Sequence, residues 1–230
     1  MKDSATHGTA TRSNADLDEG EWTPLLEDLL RGLTDATNNR ITSLSALAEL
    51  ASYDDDSFDL AMLRKEITRM HDVSALVGIL VSRSEDTEAL EVGGVLDVAM
   101  TIHSHHPRLR PVPCSIEKVN AVLPVRVPRW ALLRLALLMI DSAKRTAAAT
   151  NAGFVVLRLS GDDTFVWTHC LSAEPPGADA LRLASLCGGA LRHGDGESVL
   201  ELPSLLEVRR REAASPGVDE REASGTRRQT

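Results

Sequence analysis

Apolar residues recur at intervals of mostly three and four from Glu21 to about Tyr53, at Leu26, Leu30, Leu33, Ile41, Leu44, Leu47, Ala48 and Ala51. That is helical periodicity, and some thirty residues at about 1.5 Å each make a rod of roughly 45 Å. Thr23 and Pro24 suit the cap and first turn of this helix. A polar cluster of Asp35, Asn38, Asn39, Arg40 and Thr42 interrupts its middle. The polar stretch from Ser52 to Ser57 reads as a turn. A second stripe follows from about Phe58 to Ser82, with Leu60, Leu63, Ile67, Met70, Val73, Val77 and Leu80 on one side. The pattern predicts an antiparallel helical hairpin over residues 21–84. Two helices enclose too little core to stand alone. Either a second copy completes a four-helix bundle, or the hairpin packs as an arm on the rest of its own chain.

Beyond Glu88 the pattern changes. A helix is expected over Leu90–Ile102, a short strand over Arg108–Val112 and another short element within 115–125. Trp130–Thr146 is apolar almost all round, as a helix buried within an α/β layer should be. Gly153–Ser160 alternates with period two, Gly161-Asp162-Asp163 suits a hairpin turn, and Thr164–Leu171 returns as a strand. A Pro-rich loop over Ser172–Ala178 leads to a helix from Asp179 to Leu191 that stops near Gly188-Gly189. His193–Gly196 reads as a turn and Ser198–Leu202 as a last strand. The fold class is therefore α+β: a helical hairpin, then an α/β sandwich over 88–204. Residues 1–20 read as a polar tail and 205–230 as a charged one, neither with the composition of a folded segment.

Charge and cysteines narrow the function classes. The chain carries 34 acidic against 25 basic residues, a formal net charge of -9. Nucleic acid as the main partner is excluded on that balance, since phosphate contacts need a basic footprint. Cys114, Cys170 and Cys187 are odd in number and widely spaced, which suits a reducing compartment. No apolar run is long enough to span a membrane and no signal-peptide pattern opens the chain, so a cytoplasmic location is expected. His103, His105 and His106 lie close together but lack a second ligand cluster, so a helix-to-loop surface accounts for them better than a metal. No metal or cofactor is expected.

The order of elements, together with several short stretches, resembles the transmitter module of bacterial two-component histidine kinases from about Leu25 to Pro203. Ala36-Thr37-Asn38-Asn39-Arg40-Ile41-Thr42 resembles the stretch after the phospho-accepting histidine of the dimerisation helix, with Asn39 and Ile41 matching. Leu133–Ala143 resembles the asparagine-box helix of the ATP-binding domain, and residues 153–171 the hairpin leading to its nucleotide aspartate. Gly188-Gly189-x-Leu191, Gly196 and Glu201-Leu202-Pro203 resemble its closing pattern.

The departures fall on the chemistry. Asp35 stands at the position of the acceptor histidine, Leu138 and Ser142 at the two asparagine positions, and His169 at the adenine-binding aspartate. Asp141, beside Ser142, is a displaced candidate ligand, rotated about 100° around the helix. The glycine-rich lid is reduced to Leu171–Gly177, where Pro175 and Pro176 offer no backbone donors. His71 is the single histidine of the hairpin and a remote candidate for a relocated acceptor. The resemblance then implies a pseudokinase: a non-catalytic signalling protein that forms a homodimer and docks a response-regulator receiver domain or a histidine kinase. Leu33, Asp35, Asn38, Asn39, Arg40 and Ile41 are its contact residues. A histidine phosphotransferase or kinase with altered residues is the second class, and a structural protein the third.

Overall fold

A computed structural model describes residues 20–52 and 60–214. The expected tail before residue 20, the hairpin turn and the last sixteen residues lie outside the described residues. The hairpin consists of α1 (Trp22–Ser52) and α2 (Leu60–Val81). After it come β1 (Thr87–Leu90), α3 (Val92–His103), β2 (Cys114–Lys118), β3 (Val125–Pro128) and α4 (Arg129–Thr150). The chain continues through β4 (Val155–Gly161), β5 (Phe165–Leu171), α5 (Ala178–Leu186), β6 (Ala190–Gly194), β7 (Glu197–Pro203) and α6 (Leu205–Ala214). The architecture is α+β, as expected.

Five strands form one mixed sheet in the order β2-β4-β5-β7-β6, parallel at β2-β4 and antiparallel elsewhere. Alternation sorts its side chains. Val155, Leu157 and Leu159 of β4, Val166 and Cys170 of β5, and Leu200 and Leu202 of β7 enter the core. Helix α4 is the centre of that core: Leu132, Leu135, Leu137 and Ile140 are fully enclosed, which explains a sequence apolar on nearly every side. Helix α5 stops where Gly188 takes φ +68°, a left-handed conformation that glycine adopts without a Cβ penalty.

Several expectations are corrected. Residues 108–112 form turns, not a strand. The imidazole of His106 fixes them, its Nδ1 accepting the backbone N–H of Arg108 (3.2 Å) and of Leu109 (3.1 Å). Thr87–Leu90 is a strand that pairs antiparallel with β3 to form a separate two-stranded sheet; its partner is distant in sequence, so the local pattern is uninformative. Residues 190–194 form strand β6, not the end of a helix, and Asp195 and Gly196, both at positive φ, make the two-residue turn to β7. Residues 205–214 are helical and not a disordered tail. Ser204 is fully buried, and its Oγ accepts the N–H of Glu207 (3.1 Å). Glu207 in turn pairs with Arg211 (2.7 Å). Ser204-Leu205-Leu206-Glu207 has the serine-x-x-glutamate spacing of a capped helix start, a signal present in the sequence.

The hairpin divides into two parts. At its base, Trp22, Leu25, Leu29 and Leu33 of α1 join the main core, so the first turns are an arm packed on the chain's own body. Further out, α1 and α2 hold each other with little more than Leu47 and Val73 buried, while Ile41, Leu50, Leu60 and Ile67 stay exposed. A glycine permits the junction: a Cβ on Gly32 would lie 1.7 Å from the carbonyl oxygen of His105. Any side chain at this position would force the backbone of the helix or the loop to shift.

Candidate functional site

Three regions hold the residues singled out above. The first is the polar middle of α1. Asp35, Asn38 and Asn39 are exposed, as is Ile41 at 50%. Leu33 is corrected: at 0% exposure it belongs to the core and presents nothing to a partner. Arg40 turns toward α2, where its Nη1 meets Glu66 at 3.1 Å; Arg69 shares the same carboxylate. Asp35 and Arg40 line a groove of about 440 Å³ whose other wall is the loop after α3, with Ser104, His105, Pro107 and Arg110. Sequence reasoning missed that wall, because the loop is some seventy residues distant and only the glycine at position 32 hinted at a close neighbour. His71 lies exposed on α2 and is not part of the groove.

The second region is the cleft between α4, α5 and the β5–α5 connection, where the resemblance places a nucleotide. Its volume is about 190 Å³, and Leu138, Asp141 and Ser142 are among the residues that line it. His169 does not. It sits on β5 between Thr168 and Cys170, both buried, and so points out of the opposite sheet face toward Glu197 at 3.4 Å. Cys170 faces the cleft in its place; one residue of shift along a strand exchanges the faces. The connection is pinned to α4: Ser142 and Ser172 share a hydrogen bond of 2.8 Å, and the N–H of Ala173 donates to Thr146 Oγ1 at 2.9 Å. The start of α1 closes the mouth. Glu21 and Pro24 line it, and the N–H of Trp22 donates to Asp179 Oδ2 at 3.1 Å. Burial and the nearby Asp179 raise the Glu21 carboxyl above its ordinary value.

The third region corrects the reading of the histidines. His103 and His106 are interior residues, at 0% and 1% exposure, and their rings stack at 5.1 Å. His103 Nε2 lies 3.2 Å from Asp141 Oδ1, and Arg145 holds the other Asp141 oxygen at 2.6 Å. Asp28 of α1 enters the same cluster, bound by Arg108 at 2.8 Å. That guanidinium keeps the Asp28 carboxyl below its usual range. His106 Nδ1 accepts two backbone N–H groups, so its proton sits on Nε2 and that nitrogen has no lone pair for a metal. No group of three or more histidine, cysteine or carboxylate side chains is arranged to hold a metal ion among the described residues. The cluster joins α1, the 104–110 loop and α4 through charges that offset one another.

No protein-family model matches the chain, and no curated protein does. Its structural likenesses are to histidine kinases. The cytoplasmic segment of histidine kinase QseC is 13% identical, with 61% of this chain and 94% of that one covered at a TM-score of 0.41. The Acinetobacter baumannii histidine kinase AdeS is 12% identical, with 73% and 95% covered at 0.40. Histidine kinase ThkA in complex with response regulator protein TrrA is 12% identical, with 87% and 69% covered at 0.43. At such identities no functional residue transfers from them. No helix among the described residues is long and apolar enough to cross a membrane.

Proposed function

We propose that the chain is a two-component signalling protein that does not use ATP, dimerises through its hairpin, and docks a receiver domain or a partner kinase on the polar middle of α1. The observation that carries this reading is the state of the second cleft. A nucleotide site needs free backbone donors and a metal ligand. Here Leu138 and Ser142 offer no carboxamide, Ser142 is engaged by Ser172, and the connection is tied to α4. Glu21 adds a carboxylate at the mouth, where phosphates would meet repulsion. Docking on α1 is supported by the exposure of Asp35, Asn38, Asn39 and Ile41 on a helix whose base is fixed by the core.

Calorimetry with ATP and magnesium tests the reading. No saturable binding is expected tighter than about 1 mM, which corresponds to roughly 4 kcal/mol. Micromolar binding would overturn it.

A further inference from the structure

We propose that the groove where the end of α2 meets α3 and α4 binds a neutral amphiphile, a small molecule with an apolar chain and an uncharged head that carries an acceptor oxygen. The proposal goes beyond the docking reading, and the groove shares no lining residue with the α1 groove or with the α4–α5 cleft. It consists of two hollows of about 350 and 360 Å³, joined where Ile79, Arg129 and Leu133 line both. Small-molecule sites span about 300–1,000 Å³ and favour the junctions between domains. This one lies where the hairpin joins the body.

The two hollows differ in chemistry. One is mainly apolar, lined by Leu90, Val95 and Val98 together with Gly94. A Cβ on Gly94 would meet nothing within 4 Å, and Ile79 stays 37% exposed at the edge. The other is polar, with Ser82, Ser84, Asp86 and Trp130. Its cation is already matched: Arg129 donates to both oxygens of Glu88, at 2.6 and 3.2 Å. At the apolar hollow, Glu91 is held by Lys118 at 3.0 Å. One polar demand is unmet. Trp130 is 8% exposed, and its buried Nε1–H has no acceptor among the described residues, an unfavourable state for a donor out of water. An ammonium head brings no lone pair to that donor, and a carboxylate head would meet Asp86 and Glu88. An uncharged amide, ester or hydroxyl accepts the bond, and its chain takes the apolar hollow.

Calorimetric titration of the full chain with N-octylacetamide, kept below its micelle concentration, tests the assignment. Binding should saturate at one molecule per chain. Each methylene added between N-butylacetamide and N-octylacetamide should tighten it about fourfold. Octanoate and octylamine should bind roughly tenfold more weakly or worse. Gly94→Leu fills the apolar hollow and should abolish binding while the circular dichroism and oligomeric mass stay those of the parent. Trp130→Phe removes the N–H and should weaken N-octylacetamide about three- to tenfold, leaving octylamine unchanged. No saturable binding by the parent, equal affinity for the three heads, or affinity untouched by Gly94→Leu overturns the assignment. So does binding that appears only when residues 1–19 are removed, which gives the groove to the chain's own segment. A mass that falls by half during the titration also overturns it, by giving the groove to a second copy.

Discussion

His106 and Asp28 face each other across the junction of hairpin and body, with Nε2 of the imidazole 3.5 Å from Oδ2 of the carboxylate. Both side chains are buried, and Arg108 closes the pair from the solvent side. Protonating His106 a second time requires a proton on Nδ1, which already accepts two backbone N–H groups. The charged ring is therefore incompatible with the 106–109 turn that holds α1 in place.

A pH dependence follows from that geometry. Burial, and then the neighbouring His103, lower the His106 pKa from its ordinary 6.5, and burial does the same at His105. Below pH 6.5 the unfolded chain takes up these protons while the folded chain does not, so stability falls as pH falls toward the folded values. Above pH 6.5 both states are neutral and the slope vanishes. Asp28, with its pKa lowered by Arg108, adds a second loss at more acid pH, from 3.8 downward. Urea midpoints should be flat above about pH 7.5 and drop by about pH 5.5. His106→Asn, which keeps an acceptor for the two N–H groups, should flatten the part of the slope due to residue 106.

Trp22 anchors the start of α1. It is 2% exposed, and the Arg134 guanidinium lies 4.7 Å from its ring centroid. Trp22→Ala should lower stability by about 3–5 kcal/mol. Because the same turn closes the second cleft, the variant should also expose Cys170 to thiol reagents. The parent thiol, which burial pushes up to about 12, should react slowly. Equal reactivity in the two proteins would mean that α1 does not close the cleft.

Gly32 is the point of closest approach between the helix and the loop. Gly32→Ala places a methyl group against the His105 carbonyl oxygen, and backbone must shift to accommodate it. A stability loss of about 1–3 kcal/mol or more is expected. Gly94, with open space around its would-be Cβ, is the control: Gly94→Ala within α3 should gain up to about 1 kcal/mol. A neutral Gly32→Ala measured by denaturant midpoint would contradict the observed junction.

Periodicity made the two helices of the hairpin, the buried character of α4 and the β4–β5 hairpin legible, because each is a local pattern with its own stop signals. What stayed hidden depends on distant partners. Thr87–Leu90 becomes a strand only against Val125–Pro128, and the interior position of His103 and His106 requires Asp28 and Asp141 from two other helices. The face of His169 turned on a single residue of register. Leu33 belonged to the same apolar stripe that marks the core, and its placement at a docking face ignored that stripe. By contrast, α6 was readable: the Ser204–Glu207 spacing outranks the charged composition that masked it.

The outer half of the hairpin gives the sharpest test of assembly. Ile67 is 48% exposed in the single chain, beside Leu60 at 58% on the same side of α2, seven residues and about two turns away. Ile41 adds a half-exposed apolar surface on α1. In a monomer, Ile67→Glu removes an isoleucine from water and changes stability within about 0.5 kcal/mol. In a four-helix bundle it buries a carboxylate without a partner, which is strongly unfavourable. Light scattering should therefore give the parent a mass near twice 24.9 kDa and Ile67→Glu a mass near 24.9 kDa, with the body still folded by circular dichroism. Leu44→Glu, at a partly buried position of α1, should behave alike. Val73→Glu is the contrast, since Val73 is enclosed within one chain and its substitution should cost stability in monomer and dimer alike. A parent that is monomeric at tens of micromolar, or an Ile67→Glu variant that keeps the doubled mass, would mean that this face is not the one that pairs.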